Sequence, residues 1–234
     1  MTTDKNAPEE KFVVNIKTRV RGHTLEIDHD IEICILRNIP GIAYKIPKNS
    51  IKGFLDDQNR KCALTDYYYC LNKSCVYMFL GNNNIENKEA IYIGETYQFE
   101  KRIKSHKIWK DENTYKWEHI LLFFRKDRTF NKGHIDHIEK RLALLLNTLK
   151  PGIGPLCGVG KFDGEGKIKP NNQKNLLQEN LSHIDRDAAN EFLISIILLT
   201  QKLDVNIFGD FKNAQKALLE VLDKNKHQTR SRIY

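Results

Sequence analysis

The sequence predicts a mixed α/β (α+β) fold: a small, mainly antiparallel central sheet flanked by helices, with β-rich additions before it and helical additions after it. Three observations carry this reading. Phe12 to Thr18 and Ile31 to Leu36 alternate apolar and polar residues, the period of a half-buried strand. Ser74 to Leu80 and Glu89 to Gly94 are β-rich runs separated by Gly81-Asn82-Asn83-Asn84, a turn signal that should fold them into an antiparallel hairpin. From residue 132 the period lengthens to that of a helix, with Ile135, Ile138, Leu142, Leu145, Leu146 and Leu149 on one stripe.

In chain order, residues 11 to 47 read as strands punctuated by Arg21-Gly22 and Pro40-Gly41, followed by a short helix over Ser50 to Asp57. Residues 61 to 72, with Tyr67-Tyr68-Tyr69, form a connector without clear periodicity. The hairpin puts Tyr77 and Tyr92 on adjacent strands. Thr96 is placed to cap a helix running to about His106, with Glu100 near its positive end. His119 to Phe124 is strongly apolar and is expected at the centre of the sheet. Asn131 is the expected cap of the helix from Lys132 to about Leu149, which stops before Pro151. Pro151 to Asn175 holds six glycines and three prolines and reads as a long loop. Ser182-His183-Ile184-Asp185 has the form of a capping box, with Asp in place of Glu, and opens a helix to about Asp204 with Phe192, Ile196, Leu199 and Leu203 inward. Asp210 caps a last helix to about Asp223, and His227 to Tyr234 reads as a frayed tail. These elements divide the chain into a β-rich N-terminal extension (1–72), a core (73–150), a Gly/Pro-rich loop (151–175) and a helical C-terminal region (176–234).

Composition narrows the class. A chain of 234 residues suffices for one substantial core. No apolar run approaches the roughly 18 residues that span a bilayer, the longest being Phe192 to Leu199. The polar, acidic start, Met1 to Glu10, has no signal-peptide core, so the expected location is cytoplasmic, with no membrane partner. Five cysteines (Cys34, Cys62, Cys70, Cys75, Cys157) without a Cys-x-x-Cys pair argue against a disulfide framework and a structural zinc site; reduced, mostly buried thiols are expected. The net charge of +8 is unevenly spread: residues 101 to 141 hold 12 Lys/Arg against 6 Asp/Glu, and the last 24 residues hold 6 against 2. A solubilising surface is the plain reading of such charge. A polyanionic partner is the sharper one, because each neutralised phosphate releases counterions and adds affinity.

Five side chains carry the chemistry. Arg102 and His106 are spaced i, i+4 and share a helix face with Phe99 and Ile103, so both turn toward the fold. Glu139 falls at the edge of its helix's apolar stripe, where a carboxylate needs a cationic partner. Taken singly, Tyr77 and Tyr92 are ordinary strand tyrosines, Arg102 a snorkelling cation and His106 a helix-end histidine. Together they meet the demands of phosphodiester hydrolysis: an activated water, charge compensation on a crowded phosphorane and a stabilised leaving oxygen. An unperturbed phenol has a pKa of about 10 and needs a nearby cation or metal-bound water to act as a base near neutrality. His134 and His137 lie i, i+3 on the Glu139 helix without a third ligand at zinc spacing, and read as surface histidines.

On these residues the chain resembles the GIY-YIG nuclease family, whose pattern is a Gly-Ile-Tyr strand, a Tyr-Ile-Gly strand, an arginine about ten residues on and a metal-binding glutamate on a later helix. Tyr92-Ile93-Gly94-Glu95-Thr96 keeps the second motif, Arg102 follows Tyr92 by ten residues, and Glu139 lies 37 further on. Cys75-Val76-Tyr77 keeps only the tyrosine of the first motif, a change that should affect packing more than chemistry. Residues 131 to 142 and 181 to 199 look like a bacterial branch with a β-rich N-terminal segment and a helical region after the nuclease core. The resemblance implies a DNA endonuclease dependent on Mg2+ (or Mn2+) that leaves 5′-phosphate and 3′-hydroxyl ends. It implies that Glu139 holds the metal, Arg102 clamps a nonbridging oxygen, Tyr77 is the general base with Tyr92 assisting, and His106 is the other candidate proton shuttle. Lys104, Lys107, Arg125, Lys126, Arg128 and Lys132 flank this face and are expected to contact the phosphates of duplex DNA. A restriction role would favour a dimer. The rival readings are a catalytically silent DNA-binding module and a nuclease directed to a DNA structure or to RNA.

Overall fold

The computed structural model describes residues 10–17, 28–36, 38–58, 74–110, 112–127, 129–151, 156–157 and 181–230. Among these residues, strands β1 (Glu10–Lys17), β2 (Asp28–Ile35), β3 (Gly41–Pro47), β4 (Cys75–Asn83), β5 (Lys88–Thr96), β6 (Tyr115–Arg125) and β7 (Leu156–Cys157) form one sheet. Its order is β1-β2-β3-β6-β4-β5-β7, and every pairing is antiparallel except that of β5 with β7. The helices are α1 (Ile51–Gln58), α2 (Phe99–Ser105), α3 (Lys107–Lys110), α4 (Lys132–Leu149), α5 (His183–Lys202) and α6 (Phe211–Arg230), with a 3-10 turn over Lys48–Ser50. The fold is mixed α/β, and no helix among the described residues is long and apolar enough to cross a membrane.

Strand alternation sorts the core into two layers. Val76, Met78, Ile91, Ile93, Leu121 and Phe123 face α4, α5 and α6, meeting Ile138, Leu142, Leu146, Phe192, Ile196 and Leu218. Tyr77, Phe79, Tyr92, Ile120, Leu122 and Phe124 face the other way, toward Phe54 and Leu55 of α1, Phe99 and Ile103 of α2 and Trp109 of α3. The apolar β6 does lie at the centre, between β3 and β4, and β3 joins the first three strands to the same sheet as the hairpin. Strands β1 to β3 and the hairpin therefore belong to one sheet.

Several boundaries move. Gly81 and its neighbours are not the hairpin turn: β4 runs on to Asn83, and residues 84–87 make the connection. Gly81 sits at a bulge against β6, where an added Cβ would run into the backbone of Lys116 and Trp117. A glycine that reads as a turn signal is here a close-approach residue. Thr96 does not cap α2; its hydroxyl accepts from the Gln98 N–H at 3.1 Å, and Gln98 occupies the N-cap position. The Pro151–Asn175 loop contains β7, paired in parallel through Tyr92 with Leu156 and Ile93 with Cys157. The helix at 211 continues to Arg230, past the expected frayed tail at 227, because nothing in residues 223 to 230 breaks it.

Other expectations hold. Asn131 caps α4, its side chain accepting from the His134 N–H while the His134 ring accepts from the Asn131 N–H, each at 3.3 Å. Ser182 caps α5 by accepting from the Asp185 N–H at 3.2 Å, and Asp210 caps α6 by accepting from Lys212 and Asn213. Phe192, Ile196, Leu199 and Leu203 are all buried, as are Cys34 and Cys75. Residues 61 to 72, the Phe12–Thr18 run beyond Lys17 and most of the 151–175 loop lie outside the described residues.

Candidate active site

The site is built at the Tyr77/Gly94 cross-strand pair. These two residues lie directly opposite each other on β4 and β5. A Cβ on Gly94 would run into the ring and hydroxyl of Tyr77, so the glycine supplies the space that the phenol fills. Tyr92 follows on the same face, its ring stacked 6.1 Å from that of Tyr77 at 26°. Both phenols are buried.

Helix α2 delivers the guanidinium. Phe99 and Ile103 anchor one face of the helix in the core, and Arg102, exposed along its stem, reaches back over the phenols. Its Nε donates to the Tyr77 hydroxyl at 2.9 Å and its Nη2 to the Tyr92 hydroxyl at 3.5 Å. A guanidinium carries five N–H donors, so this anchoring leaves donors to spare for a phosphate. Helix α2 ends at His106, whose backbone is extended (φ −75°, ψ 112°), and the imidazole turns inward. It packs edge-on against Tyr92 (4.7 Å, 86°) and Phe79 (4.8 Å, 76°). Its Nδ1 accepts from the Trp109 N–H at 3.3 Å, which leaves the proton on Nε2, a buried atom with no partner among the described residues.

Glu139 completes the group from the opposite layer. It is buried on α4, at 4% exposure, and its charge reaches both phenols. Burial raises the pKa of Tyr77 well above a free phenol, with Tyr92 and Glu139 adding to the effect and Arg102 opposing it. Burial likewise raises Tyr92, against Arg102 and with Glu139. Burial thus favours the protonated form of both hydroxyls, whose oxygens accept from Arg102. Burial, with Arg102 beside it, pulls His106 down to about 4, so its ring is neutral as well.

Glu139 is the buried carboxylate that could hold a hard divalent ion, which takes oxygen ligands. Asp136 precedes it by one helical turn and Glu95 lies across the α4–β5 seam, within electrostatic reach of Asp136. No group of three or more His, Cys, Asp or Glu side chains that could hold a metal occurs among the described residues. Mg2+ fits such a setting, because it commonly binds through one or two carboxylates plus water and phosphate.

The basic residues divide into two sets. Lys104, Lys107 and Lys132 are exposed. Lys104 pairs with Glu100 one turn earlier on α2. Arg125, half-buried, and Lys126, exposed, are instead engaged with other groups of the fold. Arg125 binds Asp127 at 2.7 Å and the Ala188 carbonyl at 3.3 Å, and lies 4.8 Å over the Phe130 ring. Lys126 donates to the Leu36 carbonyl at 2.7 Å. Arg128 lies outside the described residues.

His134 and His137 are not surface residues. Both are buried where α4 meets α5: His134 stacks on Phe130 at 4.7 Å, and His137 Nε2 shares a hydrogen bond with the Asn190 side chain at 3.0 Å. Helix α4 is covered by the sheet on one side and by α5 and α6 on others. A single-stripe reading of its sequence therefore undercounts its buried face. Glu95 carries no signal of its own in the sequence, although it stands inside the Tyr92–Thr96 motif. Alternation puts it on the layer opposite the phenols, and no pattern signals that Glu139 meets them from that layer.

Compared with protein-family models, curated proteins and solved structures, the chain finds no match in any of the three.

Proposed function

We propose that the protein is a divalent-metal-dependent endonuclease of the GIY-YIG type that hydrolyses DNA phosphodiester bonds. The observation that carries this reading is the Arg102 guanidinium held by both strand phenols while the Glu139 carboxylate acts on the same pair. Two neutral donors, a fixed cation and a buried carboxylate brought together from both layers of the sheet have no evident packing purpose. They suit a dianionic phosphorane.

In this reading the scissile phosphate lies against Arg102, whose remaining N–H groups take a nonbridging oxygen. Tyr77 and Tyr92 orient the guanidinium and keep donors near the developing charge. His106 stays neutral and packs behind the phenols as a positioning group. Glu139 would hold the metal ion; when bound, the ion would supply charge compensation at the phosphate and the leaving oxygen. Attack by water on phosphorus and cleavage of the P–O3′ bond leave a 5′-phosphate and a 3′-hydroxyl. Lys104, Lys107 and Lys132 provide the exposed positive flank for the DNA backbone.

The test is nicking of supercoiled plasmid and total bacterial DNA in Mg2+ against the same reaction in chelator. Cleavage restricted to the Mg2+ arm supports the reading. Uncut DNA in Mg2+ and Mn2+ alike, with the protein bound to it, would favour a catalytically silent DNA-binding module.

A further inference from the structure

We propose that Glu95 is a further catalytic residue of this site, the general base that takes the proton from the attacking water. The proposal rests on the endonuclease reading. A hydrolytic site needs an acceptor for the water proton, and the groups bonded around Arg102 do not offer one. The Tyr77 and Tyr92 hydroxyl oxygens each take an N–H group from Arg102, and His106 uses Nδ1 to accept from Trp109 while Nε2 holds a proton. Glu139 would hold the ion. Asp136 is paired with Lys140 one turn on, at 2.8 Å, so the remaining carboxylate is Glu95.

Its position fits the role. Glu95 follows Gly94 on β5, the residue whose missing side chain makes room for the Tyr77 ring. It is half-buried, and its Oε2 is buried with no hydrogen-bond partner among the described residues. An unpaired buried carboxylate oxygen is costly and marks a place where a water or ligand is expected. Arg102 faces Glu95 from α2, and Lys132 and Asp136 face it from α4. The same Arg102 binds both phenols, and its charge also reaches Glu95. Burial raises the carboxyl pKa, Lys132 and Arg102 oppose the rise, and Asp136 adds to it, which makes Glu95 a stronger base than an exposed carboxylate.

The step balances without a further reactant. One water O–H bond breaks and its proton passes to Glu95. The oxygen's electron pair forms the new P–O bond, the P–O3′ bond breaks, and the 3′ oxygen takes a proton from solvent. Glu95 then returns its proton to solvent.

The test compares wild type, Glu95→Gln and Glu95→Asp for plasmid and bacterial DNA cleavage in Mg2+ as a function of pH, together with DNA affinity and Mn2+ affinity read by electron paramagnetic resonance. Glu95→Gln should lose ~10²- to 10⁴-fold in rate with both affinities kept. Its rate should also lose the acid limb of the wild-type profile and rise with hydroxide. Glu95→Asp should keep the acid limb at a reduced rate, showing that the position tolerates change. Full-rate cleavage by Glu95→Gln would overturn the proposal and leave the endonuclease reading intact. Loss of Mn2+ binding in Glu95→Gln would overturn it too, by making Glu95 a metal ligand. If wild type cuts neither DNA, the endonuclease reading fails and takes this proposal with it.

Discussion

Arg102 Nε donates to the Tyr77 hydroxyl at 2.9 Å, joining an exposed helix residue to a buried strand residue. The bond, with its weaker companion to Tyr92, fixes a cation at the mouth of an otherwise neutral aromatic cluster. Arg102→Ala should reduce DNA cleavage by ~10²- to 10³-fold, the usual cost of removing one transition-state donor. Arg102→Lys should recover little, because a point charge cannot bond both phenols and a phosphate together. Both variants should melt close to wild type, since the arginine stem is exposed. Cleavage rates set beside melting temperatures check this.

Gly94→Ala tests the space for Tyr77. The new methyl group would strike the ring itself as well as the hydroxyl, so removing the hydroxyl with Tyr77→Phe should not relieve it. Overpacking of this kind costs roughly 1–3 kcal/mol. Urea unfolding should show a loss of that size in Gly94→Ala, and a similar loss when the comparison is made in the Tyr77→Phe background.

His137 makes stability depend on pH. Its pKa falls from 6.5 to about 4 on folding, chiefly through burial. Between these values the unfolded chain binds more protons than the folded one. Stability from this group is therefore full above about pH 6.5 and is lost as the pH falls toward 4, by at most on the order of 3 kcal/mol. His106, also pulled down to about 4, contributes in the same direction. Urea unfolding at a series of pH values should show the slope, and His137→Leu should make it shallower.

The two sets of cations should separate in binding experiments. Removing Lys104, Lys107 and Lys132 together should weaken DNA binding and reduce the salt slope by about 2 to 3, following the rule of ~0.9 per neutralised phosphate. Lys126→Ala should instead lower stability by roughly 1 kcal/mol, through the lost bond to the Leu36 carbonyl, with DNA affinity kept. Affinity measured over a range of salt concentrations distinguishes the two outcomes.

The periodic elements were legible in the sequence because they obey local rules. The stripe from Ile135 to Leu149, the Asn131, Ser182 and Asp210 caps and the apolar β6 each follow from spacing alone. The pairing of β3 with β6 was not legible, since ladder partners distant in sequence leave no periodic mark. Gly81 misled because glycine serves turns and close approaches equally. Within the site, the i, i+4 spacing of Arg102 and His106 places both near the phenols, and Glu139 is recognisable as a carboxylate at an apolar edge. The protonated state of the phenols and the neutral ring of His106 were not accessible, because each follows from burial among residues drawn from several elements. Glu95 escaped notice because alternation assigns it to the layer opposite the phenols.

The central claim is that Arg102, the two phenols and Glu139 act as one metal-dependent site. Glu139→Ala tests it most directly, with cleavage of supercoiled plasmid and total bacterial DNA in Mg2+ measured beside DNA affinity for variant and wild type. The account predicts cleavage by wild type and its loss in Glu139→Ala, with DNA affinity retained. Equal cleavage by Glu139→Ala and wild type would contradict it.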